Sequence, residues 1–134
     1  MTRPNPSRSL SVSIERPLKD AYDFLQQPQN FSKWASGLAN SLHQVGGKWM
    51  ADTPEGPMEV RFSAPNAFGV LDHWVYPESG APIYIPLRLI ENGNGCELSL
   101  TLFRLPAMTD EKFAADTEWV MKDLKVAKQI LEGG

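Results

Sequence analysis

Residues 91–106 read ENGNGCELSLTLFRLP and residues 109–134 read TDEKFAADTEWVMKDLKVAKQILEGG, and the change of period between them decides the fold. Asn92-Gly93-Asn94-Gly95 is a hairpin signal, because Asn and Gly tolerate the positive φ angles of a tight turn. It leads into a strand over 97–105, where Leu98, Leu100 and Leu102 alternate with Ser99 and Thr101. After Pro106 the apolar residues Phe113, Thr117, Val120, Leu124, Ala127 and Leu131 recur at spacings of four and three. They form one stripe of a helix, widened by Trp119, Val126 and Ile130. The helix is predicted to start near Thr109, with Asp110 and Glu111 complementing its dipole, and to end at Gly133-Gly134. At 1.5 Å per residue, about 23 residues span roughly 34 Å, enough to cross a sheet.

Upstream, Leu10, Val12 and Ile14 alternate with serines in a strand over 9–14. Pro17 ends it and opens a short helix over 17–26, with Leu18, Tyr22 and Leu25 at helical spacing, which Pro28 closes. A second helix over 30–36 carries Phe31 and Trp34 on one face, with Gly37 as its stop. From residue 40 to 105 the chain reads as an antiparallel meander of six strands. Gly46-Gly47 turns the chain between strands over 42–45 and 48–52; Met58, Val60 and Phe62 alternate in the next strand; strands over 68–76 and 83–91 follow. Pro86 cannot donate to a ladder and predicts a bulge or an edge.

Composition bounds the function. A chain of 134 residues is the size of one domain, and a globule of that size buries roughly 68% of its unfolded surface. Residues 1–8 read as a flexible start and 9–134 as the domain. A net charge of −3 and a pI near 5.3, with no cationic stripe, argue against a nucleic-acid partner. The absence of a signal-peptide pattern and of any apolar run of about 18 residues leads to the expectation of a cytoplasmic protein with no membrane span. Cys96 falls in an apolar strand and reads as an inert buried thiol. With only His43, His73 and Cys96 scattered along the chain, neither a metal site nor a cofactor is expected.

A sheet of this many antiparallel strands twists and curls, and one helix does not fill its concave face, so a cavity between sheet and helix is the expected remainder. The order β-αα-β6-α resembles the START and polyketide-cyclase superfamily, the helix-grip or SRPBCC proteins. Carrying that resemblance are Pro17, Trp34, the run Gly69-Val70-Leu71-Asp72-His73, Leu102-Phe103-Arg104 and the final helix. The resemblance covers residues 10–132. It implies an α+β helix-grip fold, a curved antiparallel sheet wrapped around a long C-terminal helix. It also implies a hydrophobic small-molecule ligand of lipid, polyketide or aromatic type. Some members are cyclases or dehydratases, but no matching catalytic motif carries over, because fold is shared more widely than chemistry.

Three functional readings follow. The first is binding of such a ligand by Trp34, Trp74, Tyr84, Arg88, Phe103, Trp119 and Val120. The second is metal-free acid–base catalysis by His73 or Asp72, which as neighbours in a strand face opposite sides, with the phase left open by apolar residues on both. The third is an interaction module, a homodimer included. Asp116 and Asp123 project beside the apolar stripe of the last helix, and Arg61, Arg88 and Arg104 are their expected partners, with structural roles for Asp72 and His73 as the plain alternative.

Overall fold

The computed structural model describes residues 2–36, 42–53, 56–78 and 80–133. In chain order the elements are β1 (Ser7–Ile14), α1 (Leu18–Leu25), α2 (Pro28–Trp34), β2 (His43–Val45), β3 (Lys48–Thr53), β4 (Gly56–Phe62), β5 (His73–Pro77), β6 (Ile83–Ile85), β7 (Leu87–Asn92), β8 (Gly95–Phe103) and α3 (Asp110–Gly133). Among the described residues the strands form a three-stranded sheet, β1-β8-β7, and a five-stranded sheet, β2-β3-β4-β5-β6, antiparallel throughout. The fold is α+β, with a long C-terminal helix.

The two sheets meet in one interrupted strand. Pro86 separates β6 from β7, and with no N–H it makes no ladder bond as a donor, while its carbonyl accepts from Thr101 N–H at 3.1 Å. The pairing of His73 with Ile85 continues in the same register as the isolated bridge of Val70 with Arg88, so the chain before β5 runs beside β7. The predicted strand over 83–91 is therefore two strands, and the expected six strands after the helices become seven among the described residues.

Local chemistry accounts for the other departures. Pro28 opens α2 at its first turn rather than closing α1, since its fixed φ suits that position, and this moves the helix two residues towards the N-terminus. The proposed stop at Gly37 lies outside the described residues. β1 begins at Ser7, opposite Phe103, so two residues assigned to the flexible start are in the ladder. The predicted strand over 68–76 becomes regular only at His73. Before it, the Asn66 side chain accepts from the N–H groups of Phe68 and Val70 and donates to Val70 O, and Gly69 takes φ +71°, winding a tight loop. A Cβ on Gly69 would collide with Leu89 O. At α3, Thr109 Oγ1 accepts from Lys112 N–H at 3.0 Å, a side-chain cap.

The core lies between α1, α2, α3 and the inner faces of the sheets. Ile14, Ala21, Leu25, Phe31, Trp34, Leu87, Leu98, Leu124 and Ala127 are among its buried members, and Cys96 is buried with them. The apolar stripe read from the sequence supplies the helix's share, with Leu124, Ala127 and Leu131 buried and Val120, Val126 and Ile130 packed beside them. α3 makes its main approaches to β1, α2 and β8.

Candidate functional site

Alternation along β5 sends Asp72 and His73 to opposite faces of the sheet, and their neighbours show which is which. His73 faces inwards: it is 3% exposed, with the Phe31 ring 5.1 Å away edge-on and the Phe62 ring at 6.0 Å. Its Nδ1 lies 3.4 Å from Leu71 O. Burial pushes the imidazole down to about 4, outweighing the upward pull of the Leu71 carbonyl and of Asp72, so the ring is neutral near pH 7. Phe31 also meets Trp34 edge-on at 5.3 Å, and the indole of Trp34 is 3% exposed. Opposed residues share a face, so Phe62, His73 and Ile85 form one inward row and Trp49, Val60, Val75 and Ile83 the next. Apart from His73 both rows are apolar, and α3 approaches β1 and β8 more than these strands.

Asp72 faces outwards and splices the broken ladder. Its Oδ1 accepts from Leu87 N–H at 2.9 Å, the first donor after Pro86, and from Arg88 Nε at 3.1 Å. Its Oδ2 accepts from Arg88 Nη2 at 2.9 Å and from Tyr84 Oη at 2.6 Å. Burial alone pulls this carboxyl up, but the hydrogen bonds from Arg88, Tyr84 and Leu87 outweigh it and hold the group below its ordinary value. Asp72 O in turn accepts from Ser63 N–H and Oγ. Around this clamp Tyr84 stacks on Trp74 at 5.3 Å and on Phe103 at 6.2 Å, and Arg61 lies over Tyr76 at 4.3 Å.

The residues singled out in the sequence thus fall into separate groups. Trp34 and His73 are together on the inner side; Asp72, Trp74, Tyr84, Arg88 and Phe103 are together on the outer side. Val120 packs against the core from α3, whereas Trp119 is 50% exposed, donates from Nε1 to Ser36 Oγ at 3.2 Å and carries Lys122 over its ring. One pocket cannot hold all of them. The expected helix-to-sheet pairs of Asp116 and Asp123 are also corrected: Asp116 pairs with Lys112, and Asp123 accepts from Ser36. Arg61, Arg88 and Arg104 pair with Glu59, Asp72 and Asp110. α3 lies mainly against β1 and α2, and it is through Asp110 of its first turn that it meets Arg104, just past β8. Phe62 and Phe31 flank His73 without having been singled out as site residues; the signal for Phe62 was its alternate spacing with Met58 and Val60, and for Phe31 the helix face it shares with Trp34.

Two surface depressions lie away from this inner face. One of about 540 Å³ runs along α3 past Met121, Lys125 and Gln129, and one of about 320 Å³ lies where β1 ends beside the Asn92–Gly95 turn.

No protein-family model and no curated protein sequence matches the chain. Solved structures match its fold. The Aha1 dimer from Colwellia psychrerythraea is 16% identical with a TM-score of 0.72, covering 95% of this chain and 96% of that one. CalU16 from Micromonospora echinospora is 15% identical with a TM-score of 0.64, covering 95% and 74%. DynU16, a protein of the dynemicin biosynthetic locus, is 14% identical with a TM-score of 0.66, covering 97% of this chain and 49% of that one. These likenesses establish the shared helix-grip-like fold and nothing finer. Among the described residues no helix is long and apolar enough to cross a membrane.

Proposed function

We propose that the chain binds a small, largely apolar molecule on the inner face of the five-stranded sheet. The observation that carries this reading is the pair of apolar inward rows, Phe62-His73-Ile85 and Trp49-Val60-Val75-Ile83, on strands that α3 approaches less than it does β1 and β8. Val60, His73 and Val75 are buried in these rows, and an apolar lining with few polar groups is usual for a small-molecule site. The fold shared with DynU16 is consistent with it.

Binding is favoured over turnover on two counts. Asp72 and His73 do not face a common space, and the Asp72 carboxylate is committed to Arg88, Tyr84 and Leu87. With its pKa lowered to about 4 and its ring enclosed by Phe31 and Phe62, His73 is a weak base and serves as wall. The test is native mass spectrometry of the protein purified from its own host, with denaturing extraction of any adduct. A stoichiometric hydrophobic adduct is expected; a clean apo mass, with no thermal shift from fatty acids or aromatic polyketides, would sink the reading.

A further inference from the structure

Trp34 closes α2 with its indole in the core, and its Nε1–H has no hydrogen-bond acceptor among the described residues. A buried donor left unpaired is unfavourable, and native proteins leave few such groups. Phenylalanine would fill the same apolar site without that cost. The indole adjoins Phe31, which touches both Phe62 and His73 of the inward row.

We propose that Trp34 Nε1–H is the polar anchor of the inner site, donating to a neutral acceptor oxygen, such as a ketone or ester carbonyl, on an otherwise apolar ligand. This deepens the binding reading and rests on it. The surroundings select a neutral group: Phe31 and Phe62 offer no counter-charge, His73 beside them is neutral near pH 7, and the indole is an uncharged donor. A ligand carboxylate placed there would be desolvated with no cation to pair with.

The test uses three probes of one shape, fluorenone, fluorene and fluorene-9-carboxylate, titrated into the protein and into Trp34→Phe. Since one net hydrogen bond is about the size of a tenfold change in affinity, the unaltered protein should bind fluorenone about tenfold more tightly than fluorene. Fluorene-9-carboxylate should bind more weakly than fluorene. In Trp34→Phe the ratio of the two affinities should fall to about one, whatever the change in their common level, because the preference for the ketone is lost. Should that variant not fold, ¹H–¹⁵N spectra of the unaltered protein give the same answer. The Trp34 indole resonance, assigned by elimination with Trp49→Phe, Trp74→Phe and Trp119→Phe, should move downfield with fluorenone and not with fluorene. Fluorene binding without a ketone preference, or a preference that survives in Trp34→Phe, overturns the anchor and leaves the binding reading standing. No binding of any probe overturns the anchor together with that reading.

Discussion

His73 and Asp72 are adjacent, and both have their pKa lowered, but by different causes and so in different pH windows. His73 has its pKa lowered by burial from 6.5 to about 4, so the unfolded chain takes up its proton first as the pH falls. The stability it contributes is intact above pH 6.5 and is lost as the pH falls through the window down to about 4, amounting to about 3 kcal/mol at 1.36 kcal/mol per unit. His73→Leu should flatten the fall of the urea midpoint across that window, and an unchanged slope would mean that the imidazole is solvated. Asp72 acts lower: its pKa lies beneath its ordinary 3.8, so its contribution is present above pH 3.8 and disappears as the pH falls below that value. Asp72→Asn keeps the shape of the side chain but removes the charge. Charge-assisted hydrogen bonds are the stronger kind, and Arg88 is half-exposed, so a loss of about 2 kcal/mol in chemical denaturation is expected at pH 7. Sequence alone placed these two residues on opposite faces. It did not assign the faces, because apolar neighbours at 70, 71, 74 and 75 occupy both; the phase is set by Phe31 of α2 and Arg88 of β7, which only tertiary pairing brings near.

At the scale of elements, what was legible followed from strict periods. α3 came through within one residue of its predicted start, because its apolar stripe persists through most of its 24 residues. The hairpins at Gly46-Gly47 and Asn92–Gly95 were equally readable, since their turn chemistry is local. The segment before β5 was not. Its alternation continues through Phe68, Val70 and Asp72, but Asn66 captures the backbone and Phe68 stands 83% exposed. Two glycines separate the strain of a positive φ from a steric collision. Gly69→Ala meets both, and a loss of about 2 kcal/mol or more is expected from the strained backbone and the contact with Leu89 O. Gly93→Ala, at φ +58° with open space around it, should cost about 1 kcal/mol. Equal midpoints for the two variants in a thermal melt would refute the difference.

For the whole molecule, the interrupted strand makes the two sheets one ladder. Pro86 O bonds to β8 while Asp72 bridges to Leu87, so neither sheet can open without disturbing the other. Tryptophan fluorescence of a Trp34→Phe, Trp119→Phe variant, which reports Trp49 and Trp74 in the five-stranded sheet, and far-UV circular dichroism of the same variant, which reports α3 most strongly, should therefore give coincident urea transitions. Separate midpoints would show that the halves unfold independently. A pocket is less legible than a sheet, because it depends on where α3 crosses, and the apolar stripe indicates only which face of α3 is buried.

The position of α3 beside β1 also bears on self-assembly. β1 is an edge strand of eight residues, long enough to template an added strand from a second chain. Lys128 Nζ donates to Ser13 O at 2.5 Å, and the Glu132 carboxylate accepts from Glu15 N–H at 2.8 Å. Two charged side chains from the last turns of the helix thus occupy backbone groups at the far end of that edge. At the other margin β2 offers three residues. An incoming strand would have to displace an ammonium group and a carboxylate to grow the sheet along β1, so the terminal helix guards the protein against edge-to-edge aggregation as well as completing its core.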